Sequence, residues 1–360
     1  MAFRILYVAP LTRGATSLNR FRALERLQQD LIPFDLAKFD SKSKIVSALR
    51  YRLPVGPLVA KVNAALLETV RNQRPTVVWF DRPTVFTPET VRAVKASGAL
   101  TVCFNMDNPF GPRNDGWWHQ FYKIYRLIDL HCLFRKADVS RYQGWGLNYI
   151  ETQFSYDPVL QFAPPPDWCD RDRTREVSYI GHPHEERPQF LRTLIDTNKL
   201  PVVISGNGWQ KVIVGEERQR LTRFGNLQDA SGLLKEADYR EAIWKSKINL
   251  SFVTHLNEDD VAHKSFEIAA CRGFLLALRS PGHEAAFQEG REAEFFSSVE
   301  ECAEKINYYL AHPAEREQIA LRGWERAMRS GYDNDTQLSR ILARLEQMRG
   351  GDSTFPTQSR

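Results

Sequence analysis

Residues 259–278, DDVAHKSFEIAACRGFLLAL, decide the fold of this chain. The pattern predicts a polar loop, a short helix that begins near His263 and ends before Gly273, and a buried strand over residues 274–278. A further apolar run over residues 248–253 lies just upstream and predicts another strand. Strand, loop, helix and strand in this order are typical of a βαβ unit in a parallel sheet.

The predicted helix carries two charged residues that can bind a nucleotide. Lys264 and Glu267 are three positions apart, so they share one face of the helix near its N-terminus. The helix end and the ammonium can bind phosphates, and the carboxylate can accept hydrogen bonds from ribose hydroxyls. The alternative is structural: a surface lysine and a glutamate that complements the helix dipole. The residues alone leave both interpretations open.

The run KSFEIAACRG, from Lys264 to Gly273, resembles the donor-site helix of GT-B glycosyltransferases, and in particular the CgeB-like branch near glycosyltransferase family 4. Those enzymes often carry the pattern Glu-x7-Glu. In this sequence Asp259 stands at the first acidic position and Glu267 at the second. The segment over residues 290–328 is similar to the same branch, and the resemblance covers most of residues 177–345.

The resemblance implies the fold and the chemistry. The fold class would be α/β of the GT-B type, in which two Rossmann-like doubly wound domains face each other across a cleft. The second domain would bind the activated sugar donor and the first the acceptor. Nearness to family 4 implies retention at the anomeric carbon, without a protein nucleophile and without an obligatory metal.

The alternation of strands and helices predicts the domain boundaries. A proline-rich, charged stretch interrupts the alternation. We therefore expect an N-terminal acceptor domain over residues 1–160, a linker over 161–176 and a donor domain over 177–335. A last helix over 336–349 is a candidate for crossing back to the first domain, and residues 350–360 are expected to form a flexible tail.

The first predicted helix, over residues 18–31, has an apolar stripe, and Arg20 lies off that stripe. We expect Arg20 to lie on a solvated face, together with Arg22 and Arg26.

The composition describes an ordinary two-domain globular protein. The chain has 360 residues, 42% of them hydrophobic, and a net charge of +5. This mild excess suits anionic substrates and allows peripheral contact with an anionic membrane surface, but it is too small to predict nucleic-acid binding. The five cysteines are scattered without CxxC spacing, which predicts neither disulfides nor a zinc site. We expect a cytoplasmic protein, with attachment at the inner face of the membrane as an open alternative.

Further donor-site candidates follow the predicted strands of the second half, because doubly wound folds bind ligands at the carboxyl ends of strands. Arg187 can grip phosphate with two nitrogens, although a solvent-facing arginine is the alternative. Gly206 and Gly208 permit close backbone approach, and Trp209 can flank a base. The full predicted donor set is Gly181, Arg187, Gly206, Gly208, Trp209, Asp259, His263, Lys264, Ser265 and Glu267.

Asp107 is the acceptor-side candidate. It follows a predicted strand at residues 100–104, where a carboxylate can orient or deprotonate an acceptor hydroxyl. The alternative is an N-cap or Asx-turn residue before Pro109. The aromatic residues over 117–125 can stack on a sugar, but their helical spacing favours a core role. The predicted catalytic set is Asp107, Lys264 and Glu267.

No metal or cofactor is predicted. His182 and His184 lack a third ligand at suitable spacing, and the two Asp-x-Asp matches, at residues 170–172 and 333–335, do not follow buried strands. The loop after the first strand lacks the GxGxxG of dehydrogenases and epimerases. A catalytically degenerate scaffold of the same fold remains an alternative, because Asp259 replaces a glutamate.

The sequence therefore predicts a hexosyl- or deoxyhexosyltransferase. The donor would be a nucleoside-diphosphate sugar. The acceptor would be a glycan, a lipid-linked acceptor or a small molecule, in the synthesis of a cell-surface glycan or glycoconjugate.

Overall fold

The computed structural model describes residues 2–40, 56–112, 116–228, 234 and 236–350. The chain divides into two compact units. Unit 1 comprises Met1–Gln153, Leu256–Glu258 and Asn334–Arg360, and unit 2 comprises Phe154–His255 and Asp259–Asp333. The predicted flexible tail lies, from residue 351 onward, outside the described residues.

Unit 1 is built on a sheet of six parallel strands in the order β2-β1-β3-β4-β5-β6. Its strands are Arg4–Ala9 (β1), Asp30–Asp35 (β2), Val77–Asp81 (β3), Leu100–Phe104 (β4), Leu130–Leu133 (β5) and Tyr149–Glu151 (β6). Its helices are Thr16–Arg26, Pro57–Gln73, Pro88–Ala96, Phe121–Ile124, Lys136–Gly144 and Asn334–Arg349.

Unit 2 is built on a sheet of five parallel strands in the order β11-β10-β9-β7-β8. Its strands are Arg175–Ile180 (β7), Val202–Ser205 (β8), Ser246–Ser251 (β9), Leu275–Leu278 (β10) and Glu294–Phe296 (β11). Its helices are Arg187–Arg192, Gly215–Arg223, Ala237–Trp244, His263–Ala270, Pro281–Ala286, Val299–Ala311 and Pro313–Arg329.

Both sheets reverse their strand order at the same point. In unit 1 the first strand lies between the second and the third, and in unit 2 β7 lies between β8 and β9. Such a switch point opens a crevice at the carboxyl ends of the strands, where doubly wound folds bind ligands. In unit 2 the loops after β7 and β9 border this point, and β9 leads into the helix His263–Ala270.

The strands are apolar because helices pack on both faces of each sheet. All five residues of β3 are buried, and Val78 and Phe80 join a cluster with residues of the flanking helices, such as Val62 and Val91. In unit 2, Val177 and Ile248 lie in a cluster with residues of the helix Val299–Ala311. These continuous cores place polar groups at the strand ends.

The first helix ends earlier than its periodicity predicts. It stops at Arg26, and residues 30–35 form β2 rather than a continued helix. Pro33 lies within this strand, which is compatible with a position at the sheet edge because proline cannot donate a ladder hydrogen bond.

The segment predicted as a linker, residues 161–176, belongs to unit 2 and is anchored there. The buried Arg173 pairs with Glu317, with 2.8 Å from Nε to Oε1, and donates to the carbonyl oxygens of Trp244 and Ser246. Within the described part of the chain, no helix is both long and apolar enough to cross a membrane.

Candidate functional site

The helix His263–Ala270 begins without a side-chain cap. Its N-cap residue is Ala262, which has no capping atom and an extended backbone conformation. A helix N-terminus left in this way presents backbone N–H groups and the positive end of the helix dipole to an anion. It lies beside the switch point of unit 2, directly after β9 and its loop.

Lys264, in the first turn, is half-buried and forms no hydrogen bond or ion pair with another described residue. Its Nζ lies 5.6 Å from the centroid of the Tyr179 ring. Burial lowers the pKa of Lys264 to about 8, and nearby Arg187 lowers it as well, whereas Glu267 raises it. The ammonium is therefore charged at neutral pH but poorly compensated, an arrangement that an anionic ligand would stabilise.

Two glycines make room around this ammonium. A Cβ on Gly181 would lie 3.0 Å from Nζ of Lys264 and 2.6 Å from the Tyr179 hydroxyl. Gly206 has φ of +126°, and a Cβ there would lie 2.5 Å from the carbonyl oxygen of Gly181. The loops after β7 and β8 therefore meet backbone to backbone beside Lys264, an approach that glycine permits because it has no side chain.

Arg187 is buried, so the alternative of a solvent-facing arginine is wrong. Its Nη2 donates to the carbonyl oxygen of Val253 at 2.9 Å and to Oγ1 of Thr254 at 2.8 Å, which fixes the loop after β9. Its Nε has no hydrogen-bond partner among the described residues. The guanidinium thus shapes the loop and places a second positive charge near Lys264.

Glu267 is held by Tyr239, a residue that the sequence analysis did not single out. The Tyr239 hydroxyl donates to Oε2 of Glu267 at 2.7 Å, and Nδ1 of His263 lies 3.6 Å from Oε1. Burial, reinforced by the Glu267 carboxylate, raises the pKa of Tyr239 well above its usual value, so the phenol remains a donor. The sequence gives little indication of this contact, because Tyr239 comes 28 positions before Glu267.

The Ser265 side chain packs inside unit 2. It is fully buried, and its hydroxyl contacts Oγ of Ser251 at 2.9 Å and Nε2 of His283 at 2.7 Å. Burial lowers the pKa of His283 to about 4, so the ring is neutral. Its Nδ1 lies 2.8 Å from the carbonyl oxygen of Leu278. The prediction of Ser265 as a donor-binding side chain is therefore wrong, because this face of the helix packs on the sheet.

Trp209 is also placed differently from the prediction. Its side chain is fully buried, and Nε1 donates to the carbonyl oxygen of Gly181 at 2.7 Å. The ring meets Tyr179 edge-on and cannot flank a base. Trp209 instead fixes the Gly181 loop. Gly208 has φ of +98°, and a Cβ there would lie 3.1 Å from Cδ of Pro183.

The remaining predicted residues of unit 2 lie in or near the same loops. Asp259 is half-buried, and its backbone N–H donates to the carbonyl oxygen of Thr254 at 3.1 Å. His182 and His184 stack with ring centroids 5.3 Å apart. Within the described ranges, no group of three or more His, Cys, Asp or Glu side chains is arranged to hold a metal ion.

Ion pairs lie at the carboxyl edge of the sheet in unit 1. Asp107 pairs with Arg82, with 3.3 Å from Nε to Oδ2, and both side chains are about one-third or more exposed. Asp81 is buried and receives two hydrogen bonds from Arg20, of 2.8 and 3.0 Å, and one of 2.7 Å from Tyr7. The prediction that Arg20 lies on a solvated face is therefore wrong. The Asx-type contacts of this loop belong to Asn105 and Asn108: Oδ1 of Asn105 accepts from the Asp107 N–H at 3.3 Å, and Oδ1 of Asn108 accepts from the Phe110 N–H at 3.0 Å.

The second half of the chain matches a known family. Residues 186–343 match the family model described as glycosyl transferase-like. The match includes Arg187, Lys264 and Glu267 and begins after Gly181. A comparison with curated proteins gives no match.

Solved structures share the whole architecture. The sucrose-phosphate synthase of Thermosynechococcus elongatus has a TM-score of 0.67 at 12% identity, over 97% of this chain and 100% of that chain. Alr3699/HepE of Anabaena in complex with UDP-glucose has a TM-score of 0.66 at 15% identity, over 96% and 100%. A UDP-N-acetylglucosamine 2-epimerase has a TM-score of 0.60 at 11% identity, over 100% and 99%. The fold is GT-B.

The predicted fold class is confirmed: the chain forms two Rossmann-like, parallel, doubly wound sheets with interleaved helices. Because proteins of this fold include a synthase and an epimerase, the fold by itself does not select a reaction. The side chains of the glycosyl transferase-like domain are what distinguish one reaction from another.

Proposed function

We propose that this protein transfers a sugar from a nucleoside-diphosphate sugar to an acceptor hydroxyl. The observation that carries the proposal is Lys264: a half-buried ammonium without an ion pair among the described residues, beside Gly181 and at an uncapped helix N-terminus. A diphosphate would add negative charge in direct contact with it. The glycosyl transferase-like match and the UDP-glucose complex of Alr3699/HepE support this choice of ligand.

The proposed roles follow from the geometry of unit 2. Lys264 and Arg187 would stabilise the negative charge that grows on the leaving diphosphate as the glycosidic bond breaks. Glu267, fixed by Tyr239, would accept hydrogen bonds from the ribose hydroxyls. Asp107 of unit 1 would orient the acceptor hydroxyl. The resemblance to family 4 supports retention of configuration without a protein nucleophile.

The finer proposals concern metal, acceptor and setting. The two cations near the site can stabilise a leaving diphosphate, which supports a metal-independent reaction, so activity should survive EDTA. Complete loss on chelation, restored by Mg²⁺ or Mn²⁺, would contradict this part. The net charge of +5 supports work on anionic or membrane-associated acceptors in glycan or glycoconjugate synthesis, in the cytoplasm or at the inner face of the membrane.

A donor screen tests the proposal. UDP-, GDP- and dTDP-sugars are incubated with the wild-type protein, Lys264→Ala and the control Lys245→Ala, which removes an exposed lysine of the same unit. We expect one nucleotide class to be hydrolysed slowly by the wild type and by Lys245→Ala, and far more slowly by Lys264→Ala. NMR of the products identifies the reaction.

Each other outcome contradicts the proposal in a different way. An epimerised sugar nucleotide would indicate an epimerase. Tight nucleotide binding without hydrolysis or transfer, across all three classes, would indicate the non-catalytic scaffold. Equal hydrolysis by Lys264→Ala and the wild type would remove Lys264 from the site.

A further inference from the structure

Arg82 is held in a backbone conformation that arginine rarely adopts. It directly follows β3 at the carboxyl edge of the sheet in unit 1, and its φ is +64°. Its N–H donates to the carbonyl oxygen of Phe104 at 3.0 Å, which fixes this conformation. Glycine adopts such a φ without strain, whereas a side chain makes it unfavourable. Backbone strain is common at ligand sites, so this conformation makes the Arg82 side chain a candidate for a functional role.

Neighbouring side chains hold the guanidinium of Arg82 in place, but they do not use all of its N–H groups. Its Cζ lies 5.0 Å from the ring centroid of Trp117 and 5.8 Å from that of Trp118, and Nε lies 3.3 Å from Oδ2 of Asp107. The side chain is 41% exposed. Among the residues that the structure describes, its other N–H groups have no hydrogen-bond partner, so a fork of donors faces water.

Two other arginines near this edge, Arg20 and Arg135, differ from Arg82. Arg20 is buried and gives its guanidinium to Asp81. Arg135 is buried and donates to the carbonyl oxygen of Met106 and to Asp138. Both hold the sheet edge together, and only Arg82 of these three offers an accessible guanidinium.

The adjacent loop carries a second local cost. Nδ2 of Asn105 is buried without a hydrogen-bond partner among the described residues, while its Oδ1 accepts from the Asp107 N–H at 3.3 Å. A buried, unsatisfied donor is unfavourable. Two unfavourable features therefore flank the Arg82–Asp107 pair, which is the pattern of a preorganised binding site.

We propose, on the basis that the protein is a glycosyltransferase, that Arg82 binds an anionic oxyanion group of the acceptor, a phosphate or a carboxylate. Arginine grips such groups with two parallel hydrogen bonds. Trp117 and Trp118 hold the guanidinium in place, and the incoming anion replaces Asp107 as its partner. The Asp107 carboxylate then accepts a hydrogen bond from the acceptor hydroxyl. Arg82 thereby selects anionic acceptors over neutral ones and couples their binding to the positioning of Asp107.

The direct test reads the arginine itself. The Nε–Hε signal of Arg82 is assigned in the NMR spectrum by its absence in Arg82→Gly, and inorganic phosphate and acetate are titrated in separate experiments. The titrations are repeated in Lys264→Ala, which removes the cation proposed to bind the donor phosphates. Arg74 is the matched control, because it is exposed, has φ of +46° and lies before β3, at the opposite end of that strand.

We expect the Arg82 signal to shift with saturation in phosphate, in acetate or in both, in the two backgrounds. The ion that saturates identifies the acceptor group. If the Arg82 signal stays fixed, or drifts without saturation as the Arg74 signal does, the proposal is wrong.

Transfer kinetics give a second test once an acceptor is known. Arg82→Gly should raise the acceptor KM roughly ten- to a hundredfold, Arg82→Lys should raise it less, and Arg74→Gly should match the wild type. Arg82→Gly also relieves the positive φ, so its melting temperature should not fall below that of the wild type, and a KM effect would not reflect unfolding. An unchanged KM in Arg82→Gly would overturn the proposal. Calorimetry with UDP tests the proposed function separately. If the wild type does not bind UDP, the proposed function is wrong, and the titration of the Arg82 signal can still be measured.

Discussion

Lys264 shows at the residue scale how a single buried charge can oppose folding. Its ammonium is half-buried without an ion pair among the described residues, and burial lowers its pKa to about 8. Arg187 nearby has a buried Nε without a partner in the same part of the chain. Evolution for stability alone would replace or pair such groups. Their presence favours a ligand that supplies the opposite charge.

Lys264→Met should therefore stabilise the fold while weakening nucleotide binding. Below pH 8 the ammonium is charged in both the folded and the unfolded protein, so its desolvation opposes folding in full. This opposition fades as the pH rises from about 8 towards 10.5, because there the unfolded chain binds more protons. Allowing for residual contact with water, we expect the variant to be more stable by roughly 1–2 kcal/mol at pH 7. Urea denaturation at pH 7 and pH 10 measures this gap, which should shrink at the higher pH.

A less stable Lys264→Met at pH 7 would show that the ammonium makes a favourable contact within the fold. Calorimetric titration with UDP provides the second half of the test, and we expect it to show weaker binding by the variant.

Tyr239→Phe should weaken nucleotide binding through Glu267. The variant loses the 2.7 Å hydrogen bond that orients the Glu267 carboxylate, while the ring remains to pack. Because this hydrogen bond orients the carboxylate and does not itself contact UDP, UDP affinity should fall roughly two- to tenfold, less than for a direct hydrogen bond to a charged group, which contributes about 1.5–3 kcal/mol. Tyr308→Phe is the control, because Tyr308 donates at 2.9 Å to Glu315 on an exposed surface. Equal affinities for both variants would remove Tyr239 from the site.

At the scale of elements, the loops after β7 and β8 can approach each other closely only because each has a glycine at the contact. Gly206 follows β8 and Gly181 follows β7, and the contact between them leaves no room for a side chain. The carbonyl oxygen of Gly181 also accepts the hydrogen bond from Trp209. The loops of neighbouring strands therefore fix each other beside Lys264.

Gly206→Ala should disrupt this arrangement. Its Cβ would lie 2.5 Å from the carbonyl oxygen of Gly181, which is backbone and cannot rotate away. The control is Gly225→Ala, at φ of +75° with nothing within 4 Å of the added Cβ. We expect about 1–2 kcal/mol of destabilisation for the control and roughly 1–3 kcal/mol more for Gly206→Ala. Only Gly206→Ala should also weaken UDP binding. Urea denaturation measures the loss of stability and calorimetry measures UDP binding. Equal losses of stability in Gly206→Ala and Gly225→Ala would mean that the two loops move apart to make room for the Cβ.

Elements with their own sequence pattern were predictable. The helix His263–Ala270 and the strand Leu275–Leu278 follow from an apolar period, a glycine and a β-rich run. β2 was missed because the apolar stripe of the preceding helix continues into it, and Pro33 argues against a strand. Periodicity describes neighbours along the chain, whereas β2 exists because it pairs with β1.

Side-chain roles were less predictable for the same reason. The types and spacing of Lys264 and Glu267 suggested their common face, but the partner of Glu267 lies on another helix. Trp209 follows a strand end, which suggested a ligand contact, yet its ring packs into the core against Tyr179. Ser265 shares the helix with Lys264 but lies on the face that packs against β9 through Ser251. Burial at these positions depends on residues distant in sequence.

At the scale of the whole molecule, one strand arrangement occurs twice with different polar groups. In unit 2 the segments that follow the strands carry Gly181, Lys264 and Arg187, and the two cations are suited to a diphosphate. In unit 1 they carry the paired charges of Arg20 with Asp81 and Arg82 with Asp107. The same fold therefore offers two chemically distinct edges, and this difference supports separate donor and acceptor sites.

Two substitutions should separate the two edges. Lys264→Ala should weaken UDP binding and slow turnover, because the ammonium meets phosphate charge that grows as the bond breaks. The loss of a charge-assisted hydrogen bond corresponds to roughly ten- to a hundredfold in affinity. Asp107→Asn keeps the shape of the side chain but removes the carboxylate, so it should lower transfer to the acceptor while UDP affinity stays near that of the wild type. Calorimetry with UDP and transfer rates on the same preparations measure both effects. If Asp107→Asn abolished UDP binding and Lys264→Ala did not, the donor would bind unit 1, and the proposed assignment of the two units would be reversed.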